Sequence, residues 1–369
     1  MNEMKILNIA NNYFGTTVYT ELGKRQGDLA ITPVFVIFLP KGEKINRHLA
    51  KNIYVLFESR LLKLMFAFFP QLRYIYHKHE LLSITANEEI NLVHSHTLHS
   101  NGAVGHYISK RLKLAHVISV RNVDINVAIP LLPYLRLFHR AILKNALIVT
   151  APNPRYAATI RNIFKVKSVL LSNPIDKFWE GVAITSNKPA CRKLTAIVVG
   201  EVCKNKNQVA VARALNILNV PAKLIVVGRI TEKRYFKKLM RLNKAVEVDY
   251  RGEIQDKELL ANTYLEADVK CLVSHTETFG LALVEAALLG VPVVYTGGQA
   301  IDGYRNDGIW GYAADSRNPA SIARAIKNCL ELSAEDIRTA ARVEFGAATY
   351  IQRLGEIYGV SAHSGKSNG

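Results

Sequence analysis

The sequence predicts an α/β protein made of two Rossmann-like halves, each around a parallel sheet, and three observations carry that reading. Strand–loop–helix–strand units open near Lys5 and again near Leu194 of the 369-residue chain. The stretch 271–298, CLVSHTETFGLALVEAALLGVPVVYTGG, repeats the unit, with apolar runs of a length suited to strands buried on both faces. Composition is globular at 49% hydrophobic, and the length allows two sizeable cores.

In chain order, Lys5 to Ala10 reads as a strand, Asn11 to Thr17 as a loop containing Gly15, Val18 to Gly27 as a helix and Pro33 to Leu39 as the second strand. The dinucleotide fingerprint G-x-G-x-x-G is absent, which argues against a nicotinamide enzyme. Residues 60–79 and 131–149 mix aliphatic and aromatic bulk with basic residues, a texture shared by core-facing helices with cationic outer sides and by helices that lie on an anionic membrane. Ile90 to His94 and His116 to Val120 are strands flanking a helix from Asn101 to Leu112. The loops at their ends carry Ser95–Ser100 and Arg121–Asp124, where ligands of such sheets bind. His94, His96 and His99 have a spacing that suits a metal, but also ordinary hydrogen bonding in a strand-end loop. Thr185 to Arg192, with Pro189, is the candidate linker.

The second half runs strand Leu194–Gly200, loop Glu201–Lys206, helix Asn207–Asn219, strand Lys223–Val227, strand Val246–Tyr250, helix Asp256–Ala267 and strand Asp268–Val273. A helix then starts at Phe279, Gly290 is its C-cap, Pro292 prevents continuation, and helices fill 318–332 and 334–358. Glu285 is the oddity in the apolar helix after Phe279. Either it pairs with a basic neighbour, or it and Glu277, eight residues earlier, flank an anion site at the helix start.

Net charge is +18, with 23 basic against 11 acidic residues in 1–185, or +12, and 25 against 19 in 186–369, or +6. The first half therefore suits anionic partners: nucleic acid, lipid or a phosphorylated substrate. Cys191, Cys203, Cys271 and Cys329 show no paired spacing and read as free thiols of a reducing cytoplasm. No secretory signal, run of membrane-span length or Asp-x-Asp metal pattern is visible. Ser364-Gly365-Lys366-Ser367 imitates the end of a P-loop, but Gly359 is one residue too far upstream, and the tail 363–369 reads as disordered.

Glu277-Thr278-Phe279-Gly280-Leu281, with Glu285-Ala286-Ala287 and Gly290-Val291-Pro292-Val293-Val294, closely resembles the E-x7-E donor signature of the retaining nucleotide-sugar glycosyltransferases of family 4, the "glycosyl transferases group 1" type. The resemblance spans nearly the whole C-terminal half. It implies the GT-B fold: domains 1–184 and 193–345 facing a central cleft, with helix 346–362 returning to the first. It also implies transfer of a sugar from a UDP- or GDP-sugar to a hydroxyl of a saccharide or lipid-linked saccharide in surface-polysaccharide assembly. That chemistry needs no metal cofactor, and its setting is the cytoplasm or the inner membrane face.

Carried over residue by residue, the catalytic candidates are Glu277, Lys206, Asp124 and Arg121. The donor-binding candidates are Gly15, Gly200, Lys204, Lys206, Arg229, Ile254 and Thr278, together with Glu277 for the sugar hydroxyls, the amides at Phe279, Gly280 and Leu281 with Lys206 for the phosphates, and Glu285 for the ribose. The chain departs from the family in three places. A single Gly15 stands where a glycine pair is common, Arg121-Asn122 replaces the usual His-Gly, and Glu201 replaces an arginine, leaving Lys204 or Arg121 to substitute. An NDP-sugar 2-epimerase of similar fold and a basic nucleic-acid-binding protein are the competing readings, the latter without a recognised nucleic-acid motif.

Overall fold

MKILNI, Met4–Ile9, is short and mostly apolar, and it forms an inner strand, β1, of the first sheet. The computed structural model describes residues 3–11, 13–43, 52–183, 193–244 and 246–360. The candidate linker Thr185–Arg192, Cys191 and the tail 363–369 with its P-loop imitation lie outside them.

Two units are present, one of Met1–Pro174 with Tyr350–Gly369, the other of Ile175–Thr349. The first sheet joins β1 to β2 (Ile31–Pro40), β3 (Ile53–Glu58), β4 (Leu92–Ser95), β5 (Ala115–Ser119), β6 (Ile148–Ala151) and β7 (Val169–Leu170) in the order 3-2-1-4-5-6-7. The second joins β8 (Leu194–Val199), β9 (Ala222–Val227), β10 (Glu247–Tyr250), β11 (Val269–Leu272), β12 (Val293–Thr296) and β13 (Gly311–Ala314) in the order 10-9-8-11-12-13. Every pairing is parallel, as right-handed βαβ crossovers require. Order reverses between β1 and β4 in one unit and between β8 and β11 in the other, so each sheet has a switch point where strand ends diverge.

Alternation sorts the strands of the second sheet into two cores. Ile197, Ile225, Leu272, Val293 and Tyr295 face one side, with Leu283, Val284, Ala287 and Leu288 of helix Leu281–Leu288. Val198, Val226, Cys271 and Val294 face the other, with Val211, Leu215, Ile322 and Ile326. Fully burying each large aliphatic side chain contributes about 1.5–3 kcal/mol. In the first unit, Tyr350, Leu354 and Ile357 of helix Ala347–Tyr358 share a core with Ile6, Leu22 and Phe35.

Several elements differ from the sequence reading. The helix after Phe279 begins at Leu281, because Gly280 takes φ +77° as its cap and a Cβ there would meet Leu283 Cδ1 at 2.9 Å. The helix read from Asn207 begins at Gln208, with Asn207 itself left-handed at φ 59°. The 60–79 stretch breaks at Pro70 and His77 into Arg60–Phe68, Gln71–Tyr76 and the start of Lys78–Asn87. Pro133 likewise splits 131–149 ahead of helix Arg136–Asn145 and β6. Gly346 separates Ala334–Phe345 from Ala347–Tyr358; a side chain there would strike Arg342 O at 2.3 Å.

Candidate functional site

The switch point of the second unit gathers most of the donor-site candidates. β8 runs into Gly200, whose φ of +142° turns the chain sharply. Gly228, after β9, lies so close that a Cβ on it would sit 2.1 Å from Gly200 O. Next comes the turn Lys204–Lys206, fastened to the loop after β11 by asparagines. Asn205 Nδ2 donates to Thr276 O (3.1 Å), its Oδ1 accepts from Thr276 N (3.0 Å), and its carbonyl accepts from His275 N (2.9 Å). Asn207 Nδ2 donates to Val273 O (3.2 Å) and Ser316 O (2.7 Å).

This stitching sets Lys206 opposite Glu277. The lysine stem crosses Gly200, with Cε 3.6 Å from where a Cβ would stand, and Nζ reaches Glu277 Oε2 at 2.7 Å. Both side chains keep partial contact with solvent, 23% and 14% exposed, so an anion can reach the pair. Glu277 is held further by its own N–H on Gln299 Oε1 (2.7 Å) and by Thr278 N on its Oε1 (3.1 Å). Phe279 is buried edge-on against Tyr304 and Phe345 and anchors the loop. The N–H groups of Gly280 and Leu281 donate to no described residue, leaving two donors and the positive helix end beside the pair.

Glu285, one helical turn into Leu281–Leu288, makes no ion pair among the described residues. Its Oε2 accepts from Tyr264 Oη at 2.9 Å, and burial raises its carboxyl, opposed by that hydrogen bond and by Lys270 and Lys257. Tyr264 is pushed well above the usual phenol range by its own burial and by Glu285. Around the rim, Lys204 is exposed, Ile254 is half-buried against the helix core, and Arg229 pairs at 3.3 Å with Glu201, the residue that replaces an arginine.

The first unit holds the remaining candidates. Gly15 is exposed at the end of turn Tyr13–Gly15. Asp124 is fully buried and both its oxygens are engaged: Oδ2 by Leu98 N (2.9 Å) and Arg121 N (2.8 Å), Oδ1 by His99 N (2.9 Å). Burial raises this carboxyl to about 6 despite those bonds, and its evident work is to tie the loop after β4 to the loop after β5. The Arg121 guanidinium donates to Asn173 Oδ1, not to a carboxylate. His94 lies between Tyr358 Oη (2.7 Å) and Ser119 Oγ (2.8 Å), His96 on Asn8 Oδ1 (3.0 Å), and His99 between His139 Nε2 (3.1 Å) and Ala67 O (2.9 Å). Burial lowers all three imidazoles, and no metal-binding group of His, Cys, Asp or Glu occurs among the described residues.

Two residues stand where sequence reasoning did not place them. Arg73, read as an outward cation of 60–79, is buried at 4% exposure and paired with Glu58 through Nε (2.7 Å) and Nη2 (2.9 Å), over the rings of Phe38 and Phe66. Lys270, unremarked within β11, is wholly buried beneath the site. Its signal was a lysine inside an apolar strand one unit before the acidic motif.

Two Rossmann-like units of this topology define the GT-B class, and solved structures agree at the level of fold. A glycosyltransferase from Rickettsia africae superposes with a TM-score of 0.75 at 16% identity, covering 97% of this chain and 98% of that one. Anabaena HepE in complex with UDP superposes at 0.72 and 16% identity, covering 96% and 100%. Residues 185–344, which include the acidic motif, match the model of the family described as Glycosyl transferases group 1. A D-inositol 3-phosphate glycosyltransferase of Geodermatophilus obscurus is 43% identical over 76 residues, which are 20% of this chain and 16% of that protein's length. Among the described residues no helix is long and apolar enough to cross a membrane.

Proposed function

We propose that this chain is a retaining glycosyltransferase of family 4, moving a sugar from a UDP- or GDP-sugar to a hydroxyl of an anionic or lipid-linked acceptor. The observation that carries the proposal is the Lys206–Glu277 pair at the second switch point, with Glu285 eight residues on and free amides between. Breaking the bond from sugar C1 to the diphosphate leaves negative charge on the departing oxygen and positive character on the sugar ring. Lys206 and the Gly280 and Leu281 amides answer the first, and Glu277 faces the sugar. To bind, the donor phosphates draw Lys206 from Glu277, freeing that carboxylate for sugar hydroxyls. Glu285 is assigned to ribose hydroxyls, and Asp124 acts by setting the loops at the first unit's own switch point. Support for a uridine donor comes from the Anabaena neighbour, solved with UDP and with UDP-glucose.

Surface-polysaccharide assembly remains the favoured setting for the acceptor, supported by a lipopolysaccharide outer core galactosyltransferase of similar fold (TM-score 0.72, 15% identity). The inositol-phosphate relatives support a phosphorylated polyol instead, and the +12 of residues 1–185 suits either anion. A lipid-linked acceptor is favoured by one surface feature. Leu61, Leu64, Met65 and Phe68 stand exposed at helical spacing on Arg60–Phe68, with exposed Phe69 at its C-cap and exposed Tyr134 beside them, whose hydroxyl donates to Phe68 O (2.9 Å). Arg60, Lys63 and Lys78 are exposed around this stripe, which suits shallow docking on an anionic membrane. An acceptor-dependence assay tests the whole reading: nucleoside diphosphate should be released from a sugar nucleotide only when acceptor is added. Conversion of the donor with no acceptor present would instead reveal an epimerase.

A further inference from the structure

Lys270 occupies a place in β11 that an aliphatic residue would fill at no electrostatic cost. Its register partners, Ile197 of β8 and Val293 of β12, belong to the core beneath helix Leu281–Leu288, and Leu272 continues the same face. The side chain is 0% exposed, and its ammonium donates only to Cys271 O (3.1 Å) and Val199 O (3.4 Å). A lysine carries three such protons, and the third has no acceptor among the described residues. Val199 O immediately precedes Gly200, so Nζ lies directly below the turn over which the Lys206 stem passes.

The titratable groups acting on it are Lys206 from the turn after β8, Glu277 from the loop after β11 and Glu285 from helix Leu281–Leu288, with the Cys271 thiol on the opposite face of its own strand. Burial is the largest influence and Lys206 adds to it, while Cys271 and the two glutamates oppose it; together they hold the amine at about 7. A buried amine with a spare proton and no carboxylate in contact is unfinished as a structural ion pair. It is suited to an anion that arrives later.

We infer that Lys270 is a second donor-phosphate cation, working from beneath the Gly200 turn and drawn into its charged form by the diphosphate of the sugar nucleotide. The inference rests on the donor-site reading above and adds a residue and a consequence: donor binding takes up a proton from solvent. Glu201 removes one positive charge from the rim, and Lys270 supplies one from below.

Calorimetric titration with UDP-glucose and GDP-mannose, in buffers of different ionisation enthalpy from pH 6 to 9, tests it. The diesterified diphosphates do not titrate in this range and the nucleobase N–H groups ionise only near its alkaline limit, so proton uptake centred near neutrality belongs to the protein. Wild type should take up part of a proton on binding, centred near neutral pH. Lys270→Met should bind roughly ten- to a hundredfold more weakly, the scale of a hydrogen bond to a charged group, and should lose the uptake. Equal affinity and equal uptake in the two proteins would overturn the role of Lys270 while leaving the donor site standing. Should the variant not fold, wild type alone decides: no uptake at any pH, or uptake that only grows toward the acidic limit as a carboxylate's would, overturns it. Failure of wild type to bind either nucleotide would overturn the donor-site reading and this inference together.

Discussion

Replacing Lys270 by Met should stabilise the second unit, and the gain should shrink as pH rises. A lysine brought from 10.5 to about 7 by burial binds fewer protons in the folded than in the unfolded chain between those values. Unfolding therefore takes up protons there, and wild-type stability rises with pH across that window. A tenfold change in proton affinity corresponds to roughly 1.4 kcal/mol, so keeping this lysine folded costs about 4 kcal/mol at pH 7, about 2 kcal/mol at pH 9 and nothing above its unfolded value. Methionine fills a similar volume without a charge, so the variant's advantage over wild type should fall by about 2 kcal/mol from pH 7 to pH 9. Trp179 and Trp310 are the chain's two tryptophans, both buried in the second unit, so urea unfolding followed by tryptophan fluorescence reports on that unit alone. A pH-independent difference, or a wild type that gains on the variant as pH falls, would show that Lys270 is already charged and satisfied, refuting the argument.

Glu285→Gln should leave the fold intact and weaken sugar-nucleotide binding by about 1–3 kcal/mol, because an amide accepts from two ribose hydroxyls less well than a carboxylate; unchanged donor affinity in a folded variant would make Glu285 structural. Gly228→Ala should destabilise the second unit by about 3 kcal/mol or more, since its Cβ would lie 2.1 Å from Gly200 O at a φ of +141°; a wild-type urea midpoint would contradict that close approach. Anionic vesicles should pellet the protein at low salt and release it as salt screens Arg60, Lys63 and Lys78. Exchanging Leu64 and Phe68 for Gln should weaken pelleting as well, and a stripe that merely packs against protein would leave the double variant's binding unchanged.

The second unit was the more legible because its strands are buried on both faces and read as mostly apolar runs: Leu194–Val199 and Val269–Leu272 fall within the expected segments, and Val293–Thr296 lies in the motif stretch 271–298. Edge strands carry less signal. β13, GYAA, has little β preference of its own and is held by pairing to β12, while β3 at the opposite kind of edge stays half-exposed. The acidic motif gave Glu277 and Glu285 by spacing, but not that Glu277 meets Lys206, a contact made by asparagine bonds between loops 71 residues apart. The surroundings of two cations were not legible from charge alone. Arg73 turns inward because Glu58 awaits it at the end of β3, and Lys270 is buried because the sheet leaves no solvent at its position. The partner of Arg73 lies 15 residues away, beyond any local pattern, whereas Lys270 was visible only as a lysine inside an apolar strand.

Hydrogen–deuterium exchange with and without a bound sugar nucleotide tests the central claim most directly. Saturating donor should slow exchange at 200–206 and 277–289, where Gly200, Lys206, the free amides of Gly280 and Leu281, and Glu285 meet at the second switch point. Slowing confined to the first unit, or nowhere in these two segments despite saturation, would contradict the assignment of the donor site.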